Sequence, residues 1–433
     1  MHPASLFRRC LPSLLLVLGL ALDARADDFD RPPINYASAK PENVVTRLQQ
    51  QIDAGQVKLP FTDEFGYLPA VLKELKVPVS SQTLVFSKTS LQRDRISPRT
   101  PRALYFNDDV YVGFCRLGEV MEVSVADPEL GTVFYTVTQE PADKPKFQRH
   151  TENCLSCHLS RHQGIPANVV RSVYPDRQGN PILSGGSFRT DHASPLKERW
   201  GGWYVTGTHG KQPHLGNMIL SKRSVPDDLT NDDGVNVTDL KGRIDTGMYL
   251  SPHSDLVALM VMEHQTEMHN RITAANYQTK LAHRDADVIN KLDKAPKGRL
   301  TESTARRVDG AAEQLVKYLL FSEEIRLTDP LQGTSGFAEE FARQGPFDKK
   351  GRSLREFDLQ TRLFKNPCSY LIYSPAFDGL PASVRDRTYR RLWDVLTGKE
   401  TGKDYAHLSA ADRQAIKEIL IDTKPGLPEF WRN

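Results

Sequence analysis

The stretch RALYFNDDVYVGFCRLGEVMEVSVADPELGTVFYTVTQE, residues 102–140, decides the architecture of the first third of the chain. Apolar and polar residues alternate along it, Val, Tyr, Phe and Thr are frequent, and Asn-Asp and Asp-Pro pairs interrupt it. A period of two places successive side chains on opposite faces of a strand, and β-branched and aromatic residues suit that surface. The stretch predicts antiparallel strands joined by tight turns, and TLVFSKTSL (83–91) predicts another. Upstream, PENVVTRLQQQIDAG (41–55) and YLPAVLKELKV (67–77) predict helical pieces, so residues 27–145 are expected to form a β-rich N-terminal region.

The period changes further along. HSDLVALMVMEHQTEMHNRITAANYQTKLA (253–282) predicts a long helix with Val257, Val261, His264, Met268 and Ile272 on one apolar stripe. His269 falls off that stripe and is expected at the surface. DKAPKGRLTEST (293–304) reads as a linker. Beyond it TARRVDGAAEQLVKYLLFSEE, PASVRDRTYRRLWDVLTG and SAADRQAIKEILIDT predict amphipathic helices, the last opening on a Ser409 cap. From residue 146 to about 250 the chain is rich in Gly, Pro and polar residues, with short strand candidates only at NPILSG (180–185) and GGWYVTG (201–207). The expected fold class is α+β: a β-rich N-terminal region, an irregular wrapping segment within 146–290, and a mainly helical region over 305–433.

The N-terminus reads as an export signal. Arg8 and Arg9 precede an apolar run from Leu11 to Leu22, and Ala24-Arg25-Ala26 supplies a small-x-small cleavage pattern, giving a signal peptide over 1–26. The run falls short of the roughly 20 residues that span a bilayer, although an uncleaved anchor is the competing reading. Of a net charge of +3, this segment holds Arg8, Arg9 and Arg25 against Asp23, so the remainder is almost balanced. Near-balance argues against a nucleic-acid partner or a polybasic membrane surface, and no stable membrane insertion is expected. A 433-residue chain that is 39% hydrophobic can bury a sizeable core.

Cys10 leaves with the signal, and of the other four cysteines two stand three positions apart in RHTENCLSCHLSRHQG (149–164). Cys-x-x-Cys-His is an attachment sequence for a c-type haem. Two intervening residues match the separation of the haem vinyl groups, which the cysteine sulfurs of Cys154 and Cys157 would bind. His158 then falls under the iron as proximal ligand. A redox dithiol normally opens a helix after a strand, whereas EPADKPKFQRHTEN before the motif is a polar loop. A zinc site from Cys154, Cys157, His158 and His162 lacks a spacer between the cysteines and the first histidine. Cys115 and Cys368 are then an even remainder, able to form one bridge or to stay as two buried thiols.

On Cys154-Leu155-Ser156-Cys157-His158 the sequence resembles the c-type cytochromes. WGGWYVTGTHG (200–210) and NPCSYLIYS (366–374) are similar to stretches of large, single-haem exported proteins without an assigned role. The resemblance implies one covalent haem c and redox chemistry in the periplasm. It covers a small part of the chain, and the β-rich region departs from the small helical cytochromes of class I.

Electron-transfer haems usually take a sixth ligand from Met or His, and enzyme or sensor haems often leave that position open. His264 is the leading distal candidate, from the helical stripe, with Met268 one turn on. His209 is the second, because flanking glycines let backbone approach a flat ring, and Met218 follows it. A second metal bound by His209, His214 and His264 with Glu263 or Glu267 competes with plain scattered histidines. PDDLTNDDGVNVTD (226–239) reads as an Asx-turn loop rather than a calcium loop. Arg189, Lys197 and Arg199, beside Trp200 and Trp203, are candidates to meet haem propionates. The expected function is one-electron transfer with a redox partner protein or a small electron donor or acceptor. A haem-dependent oxidoreductase, peroxidase- or oxygenase-like with an open distal site, is the alternative, and a haem-based sensor the third. No output module for a sensor appears.

Overall fold

The fold is α+β in a computed structural model that describes residues 28–432 except 161, 162, 222, 223, 227, 228 and 297. The signal segment with Cys10, and His162, lie outside the described residues. Helices α1 (Val44–Asp53) and α2 (Leu68–Glu74) come first. Strands β1 (Thr83–Val85), β2 (Arg102–Phe106), β3 (Val110–Phe114), β4 (Val120–Asp127), β5 (Gly131–Thr138) and β6 (Gln148–His150) follow. A four-residue helix α3 (Leu155–His158) leads into the hairpin of β7 (Leu159–Ser160) and β8 (Ile165–Pro166). A second hairpin joins β9 (Arg171–Val173) to β10 (Ser187–Arg189), and β11 is Trp203–Tyr204. NPILSG, predicted as a strand, instead ends in a 3-10 turn over Leu183–Gly185. Proline at its second position removes a ladder donor, which suits a turn better than a strand.

The main sheet is antiparallel in the order β11-β1-β2-β3-β4-β5-β6. Alternation gives it two chemically different faces. Ala103, Tyr105, Val110, Val112, Val123, Val133, Tyr135 and Val137 project to one face, where Val45, Leu48 and Ile52 of α1 and Val71 and Leu72 of α2 join them in a buried core. Asn43 caps α1, its side chain accepting from Val45 and Thr46 N–H. The other face carries Arg102, Tyr111, Gly113, Glu122, Ser124, Phe134 and Thr136, matched in register across β3, β4 and β5. Gly113 leaves room there for the Arg102 guanidinium, which crosses β3 to pair with Glu122; a Cβ would lie 2.1 Å from it and displace it.

The long helix α4 (Leu256–Leu292) exceeds its predicted span by ten residues at the C-terminal end. Asp255 caps it, accepting from Val257 N–H at 2.8 Å and Ala258 N–H at 3.0 Å. Helix α5 (Glu302–Leu319) packs along it, and α6 (Phe337–Ala342), α7 (Pro375–Asp378), α8 (Ala382–Leu396) and α9 (Ala410–Thr423) complete the helical half. Ser409 caps α9 as the sequence predicts. One apolar cluster runs from Val85 through the α4 stripe to Trp431, and β6 and β11 belong to the main sheet, so the three regions interlock. Among the described residues no helix is long and apolar enough to cross a membrane.

Of the two arrangements left open for Cys115 and Cys368, the structure has two buried free thiols, each pushed up to about 12 by burial. One expectation is corrected. His269 is buried rather than exposed, because α4 is covered on more than its apolar stripe; its Nδ1 meets the Tyr111 hydroxyl at 3.0 Å.

Burial lowers the pKa of seven histidines among the described residues: His192 to about 4, His214 and His269 to about 3, and His158, His209, His264 and His407 below their ordinary value, so all are neutral at pH 7. Each folded value lies below the unfolded one, so each contributes stability that is lost as pH falls through 6.5. Asp109, Glu263 and Glu324, each raised to about 7 by burial, act in the opposite sense but are fewer. Thermal unfolding followed from pH 7.5 down to pH 5 is therefore expected to show a falling midpoint, and a flat or rising one would contradict the neutral buried histidines.

Candidate haem-attachment site

The Cys-x-x-Cys-His motif lies over the mixed face of the sheet. After β6 the chain turns at Thr151–Cys154 and winds into α3, where His158 N–H reaches Cys154 O at 2.9 Å and Ser156 Oγ donates to Asn153 O at 2.7 Å. Leu155 is buried in the N-terminal core, Cys154 is half-buried against it, and Cys157 is exposed. One turn of helix thus separates Cys154 from His158, and Cys157 directly precedes the histidine.

The imidazole of His158 is fixed at two points. Its Nδ1 is 2.9 Å from Ala167 O, and Ala167 N–H returns a bond to His158 O at 2.7 Å. The ring also packs on Phe134, centroid to centroid 4.8 Å. Burial lowers the His158 pKa, with the Ala167 carbonyl opposing, so at pH 7 the ring is neutral with its proton on Nδ1. Nε2 then bears the lone pair and makes no hydrogen bond among the described residues. A carbonyl partner that fixes the tautomer in this way is the usual support of a metal-binding histidine.

The hairpin is in turn tied to α4. Asn168 N–H donates to Asn270 Oδ1 at 3.1 Å, Asn270 Nδ2 donates to Asn168 O at 2.8 Å, and Ser124 Oγ donates to Asn168 Oδ1 at 3.1 Å. Asn168 and Asn270 carried no signal in the sequence, since neither belongs to a motif. The motif, the sheet face and the long helix therefore form one hydrogen-bonded unit.

The thiols speak to the alternatives. Burial pushes Cys154 up to about 11, with Glu122 and Cys157 adding and Arg102 opposing. A reactive dithiol needs a depressed thiol pKa, the reverse of this setting. Cys154 and Cys157 are both free, which keeps two sulfurs available for thioether bonds. Two free thiols with a neutral, tautomer-fixed histidine directly after them fit a haem c. Among the described residues no three His, Cys, Asp or Glu side chains are grouped to hold a metal ion, and His162 of the zinc set is outside them.

The distal candidates are not brought to His158. His264 sits fully buried in a stack with Tyr318 and Phe321, at centroid distances of 5.4 and 4.1 Å. Its Nδ1 meets His192 Nδ1 at 2.9 Å and its Nε2 meets Ser369 Oγ at 2.8 Å. Met268 is buried in the same cluster. His209 pairs with His214, Nε2 to Nε2 at 3.0 Å, and the same nitrogen accepts from Asn236 N–H. The three histidines proposed to share a second metal fall in these two separate pairs, His264 with His192 and His209 with His214, while Glu263 holds Arg199 at 3.1 Å and Glu267 holds Arg271 at 2.6 Å. Asn231, in the Asx-rich loop, supports His214 O and Gly216 O, a purely structural role. Arg199 is buried on Glu263 and not available to a propionate; Trp200 and Trp203 are buried in the core cluster.

Two clefts, of about 560 and 370 Å³, open on the helical half at Arg387–Phe430 and at Phe321–His407, and neither is lined by the motif. No protein-family model matches the chain, and no curated protein or solved structure is similar enough to bear on its function.

Removing the tie to α4 gives a direct check. Asn270→Ala leaves Asn168 N–H and C=O without their partner, at about 1–3 kcal/mol for each buried group. Hydrogen exchange should then speed up over residues 155–168 while α5 keeps its protection; equal loss in both would contradict a local role.

Proposed function

We propose that the protein is an exported, periplasmic c-type cytochrome that carries one haem on Cys154 and Cys157, with His158 as proximal ligand. One-electron transfer with a redox partner protein or a small donor or acceptor is its function. The observation that carries this reading is the His158–Ala167 pair, because it sets aside a neutral Nε2 immediately after two free thiols. A haem bound there supplies a one-electron iron couple. The chain's own part is to hold the ring. Ala167 O keeps the proton on Nδ1, Phe134 blocks rotation of the imidazole, and the Leu155 side chain anchors the helical turn in the core. Burial around His158 disfavours its protonation, which would otherwise compete with ligation.

A specific observation favours the second reading as well. Both nitrogens of His264 are engaged by His192 and Ser369, and His209 Nε2 is engaged by His214 and Asn236. With these two candidates committed elsewhere, an open sixth position belongs to a haem-dependent oxidoreductase.

Spectra of the protein matured in a haem-c-competent periplasm separate the two. Sharp low-spin bands in the reduced protein, unchanged by carbon monoxide, are expected for electron transfer. A carbon monoxide adduct formed at once moves the assignment to the oxidoreductase. His158→Ala should abolish the wild-type reduced spectrum, and a variant indistinguishable from wild type would remove His158 from the iron.

A further inference from the structure

The hairpin after the motif sets two positive charges against each other. In the β9–β10 ladder Arg171 lies directly opposite Arg189, and both side chains are exposed. Residues so placed have Cβ atoms about 4.5–5.5 Å apart, and like charges there are destabilising. Neither guanidinium has an ion-pair or hydrogen-bond partner among the described residues. The hairpin cannot relax away, because Trp203 Nε1 holds Arg171 O at 2.8 Å and Val173 N–H is bonded to Gly201 O at 3.0 Å. Two unneutralised cations on a fixed mount are what a pair of anionic groups would require.

Their location narrows the anion. Arg171 opens β9 four residues after Ala167, whose carbonyl holds the His158 ring, and Arg102 and Glu122 stand on the sheet face below the motif. Arg102 and Glu122 neutralise one another across Gly113, and Arg199 is buried on Glu263. Among the described residues Arg149 is tied to the Ala39 and Tyr36 carbonyls, whereas Arg171 and Arg189 have guanidinium groups that neither a carboxylate nor a carbonyl engages.

We propose that Arg171 and Arg189 form a clamp for the two propionate carboxylates of the haem. The inference rests on the cytochrome reading and deepens it. Each guanidinium presents a planar fork that fits a carboxylate, and two carboxylates cancel the repulsion between the two arginines. The sequence pointed to Arg189, with Lys197 and Arg199, but not to Arg171, which is 18 positions from Arg189 and joined to it only by the strand register.

The test is a redox titration of the haem-loaded protein, with covalent haem verified in alkaline pyridine. Guanidinium groups keep carboxylates ionised, so the wild-type midpoint potential should be flat from about pH 5 to 8. In Arg171→Gln/Arg189→Gln the reduction equilibrium should fall about tenfold, or about 59 mV for one electron. The potential should also begin to decline with rising pH in that window, as propionates with raised pKa ionise. Each single variant should give part of the change. Lys399→Gln/Lys403→Gln, which removes two exposed charges from the helical half, should match wild type. An arginine variant with wild-type potential and pH profile overturns the clamp alone, as does a lysine variant that shifts equally. Wild-type protein without covalent haem overturns the cytochrome reading and the clamp together.

Discussion

A long helix whose first six turns are buried must find partners for most of the polar side chains it takes inside, and that constraint on α4 organises the molecule. Glu263, His264, Gln265, His269, Asn270 and Asn276 are all buried, and an unmatched polar group in such a place is costly. Each draws in a different part of the chain. Arg199 comes to Glu263, His192 and Ser369 to His264, and Asn107, Tyr111 and Tyr370 to Gln265. Asn168 comes to Asn270, and Pro128 O to Asn276. The N-terminal sheet, the irregular middle and the C-terminal helices are thereby held to one element, which explains why a single apolar cluster spans them.

The candidate haem site depends on that arrangement. The sheet buries its fully apolar face under α1 and α2, which leaves the mixed face for the motif and for α4. Phe134 gives the His158 ring a packing surface, Ala167 sets its tautomer, and Asn168 passes the hairpin on to α4. A site placed this way is positioned by strands and a long helix, so its histidine is held before any cofactor arrives.

Much of this was legible in the sequence where the signal is periodic or local. The strands over 102–140, the Ser409 helix start, and the Val257–Ile272 stripe appear where alternation, a capping residue and 3.6-residue spacing put them. The motif was legible because five consecutive residues carry it. What stayed hidden is set by distance in the chain. His264 looked free on its stripe, yet His192 and Ser369, respectively 72 and 105 positions away, occupy its two nitrogens. His269 looked exposed because a one-stripe helix was assumed, while Tyr111 from β3 covers it. Arg199 was a candidate to meet a haem propionate and is the partner of a buried carboxylate 64 positions on. No local pattern encodes such pairings; they follow from which segments meet on α4.

The most direct measurement is whether haem stays with the polypeptide after denaturation. Protein expressed with the haem-c maturation system would be unfolded, resolved from free haem and examined for haem absorbance on the chain. Haem that remains bound in the wild type and is lost in Cys154→Ala/Cys157→Ala is the expected result. A correctly exported, folded wild-type chain from which no haem, or only removable haem, is recovered would contradict the proposal that Cys154 and Cys157 form an attachment site.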